Sequence, residues 1–138
     1  MTIEYDYIAR VRYADIDQMG IVYYSRYYEF FEAARTDMLR DLGLPYSDFE
    51  KSGYFMPVIE SHCNYKKGAT FDSRLNIKCI VEEKPKIKIK IDYEITDMAT
   101  GTLLVTGHTI HAFLNKLGKV CRAPEEFLKI FNKSIERK

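Results

Sequence analysis

Apolar and polar residues alternate most regularly between residues 86 and 95, with the period of a strand that buries one face. The apolar members of this alternation are Ile87, Ile89, Ile91, Tyr93 and Ile95. The same period occurs just upstream, at Leu75, Ile77, Cys79 and Val81. Pro85 and its charged neighbours separate the two segments, so we predict two antiparallel strands joined by a tight connection.

Three further segments have the composition of strands. They are residues 2–13, 54–65 and 102–115. The last of them is apolar or small on both faces, which predicts a central strand, and residues 118–122 would extend it past a turn. The sequence therefore predicts a sheet of about five strands.

Helical spacing replaces the strand period between the first and second predicted strands. Apolar residues recur there at Tyr27, Phe30, Phe31, Ala34, Met38 and Leu42. This spacing predicts one amphipathic helix, with Ser25 as its N-cap and Gly43 as its C-cap. A second helix is predicted from Pro124 onwards. One long helix followed by strands predicts an α+β fold, a curved antiparallel sheet wrapped around the helix, as a single domain over residues 1–138.

Composition narrows the classes of function. The net charge of +1 provides no basic field for nucleic acid. No apolar run reaches the ~20 residues that span a bilayer. The 3 cysteines form no C-x-x-C motif and no apolar leader is present, which favours a reducing cytoplasm. A lone sheet leaves its edges exposed, so we expect a homodimer or homotetramer.

Candidate chemistry is concentrated in residues 11–28, which hold Asp15, Asp17, Gly20 and a cluster of tyrosines just before the helix. The N–H groups and dipole of a helix N-terminus favour negative charge. A carboxylate beside such donors suits acyl transfer, in which the donors polarise a carbonyl and the carboxylate attacks it or activates water. In the alternative interpretation Asp17 caps the helix and Asp15 is solvated. The spacing of these residues leaves both interpretations open.

The pattern R-V-x-x-x-x-I-D-x-x-G-I-V-x-x-S-x-Y, from Arg10 to Tyr27, resembles the active-site signature of the 4-hydroxybenzoyl-CoA thioesterase family of hotdog-fold proteins. It is most similar to the short bacterial acyl-CoA thioesterases of that family. The resemblance extends over most of the chain and implies a hotdog fold. One departure is Ile16, which stands where the family usually has Thr or Cys before the aspartate.

The resemblance also implies roles for individual residues. Asp17 corresponds to the catalytic carboxylate, and Tyr24 to the position whose backbone N–H polarises the thioester carbonyl. Many short acyl-CoA thioesterases have His at that position, which leaves open whether the acyl group is aliphatic or aromatic. Basic residues of the family that contact coenzyme A phosphates fall near Lys84 and Lys86, where a solvated strand face is the alternative. The expected substrate-binding residues are Gly20, Val22, Tyr23, Tyr24, Lys84 and Lys86.

No metal or other cofactor is expected. His108 and His111 are three residues apart on a predicted strand, so they point to opposite faces and are interpreted as core histidines. The expected function is hydrolysis of acyl-CoA thioesters to a free acid and coenzyme A, with an acyl carrier protein as the alternative carrier. A protein that binds acyl-CoA or acyl carrier protein without catalysis is the alternative function.

Overall fold

The computed structural model describes residues 2–136, with side chains described through residue 132. Its elements in chain order are β1 (Ile3–Arg10), a short 3-10 helix (Tyr13–Asp15), α1 (Arg26–Asp41), α2 (Tyr46–Lys51), β2 (Val58–Tyr65), β3 (Arg74–Val81), β4 (Lys88–Asp97), β5 (Leu103–Leu114), β6 (Val120–Cys121) and α3 (Glu125–Glu136). None of the helices within residues 2–136 combines the length and apolar character needed to cross a bilayer.

The strands form one antiparallel sheet in the order β1-β3-β4-β5-β2, with β6 paired to the end of β5. The period-two residues of β3 and β4 are buried as expected, because alternate side chains of a strand point to the same face. The predicted burial of Ile87 is wrong, since Ile87 precedes β4 and is 50% exposed. The central position predicted for β5 is confirmed, and β1 and β2 are the edge strands.

Helix α1 packs its apolar face against the sheet. Its buried residues are Tyr27, Phe31, Ala34, Met38 and Leu39. The ring of Phe31 stacks on that of Tyr93 from β4, with centroids 4.2 Å apart. A Cβ at Gly107 of β5 would lie 2.9 Å from the Phe31 ring and 2.5 Å from a backbone oxygen, so only glycine allows this close approach. The expected α+β architecture, an antiparallel sheet packed on one long helix, is confirmed.

The two remaining helices extend the core beyond α1. Helix α2 was not predicted, and its buried Phe49 packs against Phe113 and Phe127. Helix α3 begins one residue after the predicted Pro124, whose carbonyl accepts the Leu128 N–H at 3.0 Å. The last two residues of the predicted helix, 137 and 138, lie outside the described part of the chain.

The two ends of the sheet carry different connections. β1 ends and β3 begins at one end, where Arg10 pairs with Arg74. β2 also ends there, since its last residue Tyr65 pairs with Val105 near the start of β5. The connection between β3 and β4 lies at the opposite end. The Arg10 end therefore brings together the segment before α1 and the segment after β2.

Candidate functional site

A tight turn at the Arg10 end carries Asp17. The Asp17 N–H donates to the Ile21 carbonyl at 2.9 Å, and the Gly20 N–H donates to the Asp17 carbonyl at 3.0 Å. Ile16 and Val22 pair as a β-bridge that closes the turn. Gly20 has φ +80°, a left-handed conformation that glycine adopts without steric cost. Gly20 therefore shapes the turn that presents Asp17.

The Asp17 carboxylate is half-buried and sparsely bonded. One of its oxygens, Oδ1, accepts the backbone N–H of Met19 at 2.8 Å. Among residues 2–132, whose side chains are described, the Asp17 side chain forms no ion pair, and Oδ2 has no hydrogen-bond partner. The alternative in which Asp17 caps the helix is wrong, because Asp17 lies nine residues before Arg26 and bonds to its own turn. One carboxylate oxygen is thus left for other chemistry.

Asp15 is in the opposite situation, with only 1% of its surface exposed. Its carboxylate accepts the Arg12 N–H at 2.8 Å and the Arg12 guanidinium at 3.0 Å, and Arg26 lies 4.0 Å away. Burial would raise the pKa of Asp15, but the hydrogen bonds and charge of Arg12, together with the charge of Arg26, outweigh it and lower that pKa. The interpretation of Asp15 as solvated is wrong.

Backbone N–H groups just before α1 are left without an acceptor. The Tyr23 N–H donates to the Asp15 carbonyl at 2.9 Å, and the Arg26 N–H donates to the Tyr23 carbonyl at 2.9 Å. Between them, the N–H groups of Tyr24 and Ser25 have no acceptor in the described part of the chain. Ser25 is the N-cap residue as predicted, although its side chain makes no capping hydrogen bond. Tyr24 therefore offers a free backbone donor close to Asp17 in sequence.

Asp17 and Tyr24 line one cavity of about 330 Å³. Its walls are the turn with the start of α1 and the segment that follows β2. The lining residues are Asp17, Ile21, Val22, Tyr23, Tyr24, Tyr27, Tyr65, Lys66, Lys67 and Gly68. The Tyr65 ring lies 5.6 Å from that of Tyr27, and the Tyr65 hydroxyl donates to the Tyr24 carbonyl at 3.0 Å. Aromatic walls with one carboxylate suit an apolar acyl group that carries a reactive carbonyl.

Short contacts hold the two walls together. The Val22 N–H donates to the Ala69 carbonyl at 2.9 Å, and Ile21 forms a β-bridge with Thr70. A Cβ on Gly68 would lie 2.8 Å from the Ile21 side chain, so glycine permits the walls to approach this closely. The cavity is therefore built by local packing between segments more than 40 residues apart.

The structure brings together four of the expected site residues, Asp17, Val22, Tyr23 and Tyr24. Lys84 and Lys86 lie in the connection between β3 and β4, at the opposite end of the sheet within one chain. Their contact with phosphate stays a prediction. Three residues that line the cavity, Tyr65, Lys66 and Lys67, were not predicted as site residues. The signal that could have found them is the run N-Y-K-K-G directly after a predicted strand.

Ile16 and the histidines have ordinary packing roles. Ile16 packs its half-buried side chain against the core. His111 is a core histidine as predicted, with Nδ1 3.1 Å from the Met56 carbonyl and Nε2 2.9 Å from the Thr109 hydroxyl. The same interpretation is wrong for His108, whose side chain is 24% exposed and bonds to Glu60 at 2.9 Å.

Comparisons with known proteins agree with one another. A family model described as the thioesterase-like superfamily matches residues 11–131. A Bacillus subtilis (strain 168) protein, provisionally named the acyl-CoA thioesterase YneP, is 36% identical over 106 residues, which cover 77% of this chain and 76% of that protein. A hypothetical protein from Thermus thermophilus superposes with a TM-score of 0.87 at 31% identity, covering 95% of this chain and 97% of its own. The DHNA-CoA thioesterase from Staphylococcus aureus superposes with a TM-score of 0.83 at 27% identity, covering 97% of this chain and 89% of its own.

Proposed function

Because the chain belongs to the thioesterase-like superfamily, we propose that it hydrolyses acyl-CoA thioesters to a free acid and coenzyme A at the cavity that contains Asp17. The superfamily and the hotdog fold agree with the resemblance drawn from residues 10–27. The observation that carries the proposal is one cavity with a carboxylate that lacks an ion-pair partner and an N–H that lacks an acceptor, both among the described residues.

In the proposed mechanism, the Tyr24 N–H donates a hydrogen bond to the thioester carbonyl oxygen. This bond polarises the carbonyl and stabilises the negative charge that develops on the oxygen. The Asp17 carboxylate then takes one of two courses. Either it attacks the carbonyl carbon, which releases the thiolate and forms an anhydride that water hydrolyses, or it takes a proton from a water molecule that attacks the same carbon.

Asp15 positions these groups without reacting. Its carbonyl holds the Tyr23 N–H, which fixes the backbone immediately before the free Tyr24 N–H. Its buried carboxylate ties the same turn to Arg12. The two aspartates therefore have different roles, since Asp15 stabilises the turn and Asp17 reacts with the substrate or activates water.

A homodimer or a pair of dimers is part of the proposal. The edge strand β2 has an open backbone edge and exposed apolar side chains at Val58 and Ile59, 45% and 51% exposed. A second copy that pairs along β2 would cover both. Contact of Lys84 or Lys86 with a substrate at Asp17 would then have to come from a second copy. Cytoplasmic location stays a prediction.

Thiol release from a panel of aliphatic and aromatic acyl-CoA substrates tests the proposed function. We expect turnover of at least one substrate class, and the panel assigns the acyl preference. Calorimetric binding of the same acyl-CoA molecules without thiol release would contradict hydrolysis and would indicate a binding protein.

Light scattering at micromolar concentration tests the proposed homodimer or pair of dimers, and a monomeric mass would contradict it.

A further inference from the structure

Two adjacent lysines at the rim of the Asp17 cavity have no assigned role. Lys66 and Lys67 are exposed and line the cavity together with Asp17. Neither forms an ion pair with a side chain of residues 2–132, whereas Lys78 pairs with Glu4 elsewhere on the sheet. Two cations and a single carboxylate leave the cavity with a net positive charge, which favours an anionic ligand.

The backbone beneath these lysines is held in place. The N–H groups of Lys66 and Lys67 both donate to the carbonyl of Leu104, at 2.8 and 3.1 Å. Tyr65, immediately before them, bonds to the Tyr24 carbonyl across the cavity. The two ammonium groups therefore project from a base that is tied to both walls of the site, unlike lysines on a free loop.

We propose that Lys66 and Lys67 bind the phosphate of the phosphopantetheine arm, which coenzyme A and acyl carrier protein have in common. The inference rests on the proposed function, which places the thioester at Asp17 and Tyr24. The tyrosines suit the uncharged acyl group, so the arm leaves the cavity past the rim where the lysines lie. Lysine ammonium groups form charge-assisted hydrogen bonds with phosphate oxygens.

This assignment predicts a specific kinetic effect. The phosphate lies outside the reacting bonds, so its contacts are equal in the ground state and the transition state. Such contacts lower KM and leave kcat unchanged. The lysines therefore set affinity for the carrier, while Asp17 sets the rate of the chemical step.

The test compares acyl-CoA, acyl-phosphopantetheine, acyl-pantetheine and acyl carrier protein loaded with the same acyl group. The variant K66Q/K67Q should raise KM about tenfold for the three substrates that carry the phosphate, with kcat within about twofold. Its KM for acyl-pantetheine should equal that of the wild type. K66R/K67R should restore affinity, and K116Q/K119Q, which removes two exposed lysines near the turn between β5 and β6, is the matched control.

Other outcomes overturn the assignment. An unchanged KM for acyl-CoA, or an equal rise for acyl-pantetheine, would exclude a phosphate contact, and a rise for acyl-CoA alone would point to the nucleotide phosphates. A rise in K84Q/K86Q without one in K66Q/K67Q would assign the contact to the β3–β4 connection. If the wild type released no thiol, the proposed function would fail separately. Calorimetric titration of phosphopantetheine into wild type and K66Q/K67Q would then decide the lysine assignment, with about tenfold weaker binding expected in the variant and no difference between the two for pantetheine.

Discussion

Asp15 and Asp17 are two residues apart on one turn, yet they face different regions of the molecule. Asp15 lies beside a groove of about 380 Å³ between β1 and α1, where Arg12 and Arg26 surround it. Asp17 faces the tyrosine-lined cavity on the other side and has one backbone hydrogen bond. The difference shows that burial with a cation makes a carboxylate structural, whereas a carboxylate with a free oxygen can react.

The largest expected effect is on turnover in the Asp17→Asn variant. Asparagine can still accept the Met19 N–H but can neither attack a thioester nor take a proton from water, so kcat should fall about 100-fold or more. Urea unfolding should change little, because the turn keeps its hydrogen bond. Steady-state thiol release and urea unfolding on the same preparation check both statements. Unchanged kcat together with lost stability would reverse the roles of the two aspartates.

Asp15→Asn should show the complementary result, a loss of folding stability. The change weakens the charge-assisted hydrogen bonds that the buried Asp15 carboxylate accepts from Arg12. Because Arg12 is exposed and stays solvated without its partner, we expect a loss of about 2 kcal/mol. The matched control is Glu29→Gln, which removes an exposed carboxylate paired with Arg26 and should change stability little. Urea unfolding measures both variants. A loss in Glu29→Gln equal to that in Asp15→Asn would show that burial of Asp15 contributes nothing.

Lowering the pH should separate the contribution of Asp15 to folding stability from that of the buried His111. Burial lowers the pKa of His111 to about 4, below the ~6.5 of an unfolded chain. Between these values the unfolded state binds more protons, so stability falls as pH falls. The loss from pH 7 to pH 5 should be about 2 kcal/mol. The lowered pKa of Asp15 adds stability that is lost only at more acidic pH. Urea unfolding of His111→Gln should lack the first loss, and a retained loss would contradict the assignment.

The smallest effect is expected at Gly20. Its φ of +80° costs a residue with a Cβ about 1 kcal/mol, although no atom would contact the added Cβ. Gly20→Ala should therefore lower the urea midpoint slightly and perturb the presentation of Asp17. Gly20→Asn is the control, because asparagine tolerates the left-handed conformation and should cost less. Equal losses in the two variants would indicate that the backbone conformation of the turn is not the cause.

Local patterns predicted the fold well because strand alternation and helix spacing are properties of neighbouring residues. β3, β4 and α1 follow from such patterns, whereas the short α2 has too few residues to show a period. The exposed Ile87 continues the alternation of apolar and polar residues but lies before the first residue of β4. The alternation alone does not show where the hydrogen-bonded strand begins.

The candidate site was predicted only in part. Asp17 and Tyr24 follow from the resemblance over residues 10–27. The contrast between Asp15 and Asp17 could not be predicted, because it depends on which side chains fold around each carboxylate. Lys66 lies in a segment that meets the turn only through contacts between distant residues, such as the bond from Val22 to Ala69. The spacing of residues along the chain does not predict contacts between residues so far apart in sequence.

The central claim is that Asp17 performs the chemical step, and single-turnover kinetics test it most directly. Excess enzyme is mixed with acyl-CoA at a concentration that saturates binding, and thiol release is followed in wild type and Asp17→Asn. We predict a rate constant lower by about 100-fold or more in the variant, with unchanged calorimetric affinity for coenzyme A. A wild-type single-turnover rate in Asp17→Asn would contradict the account.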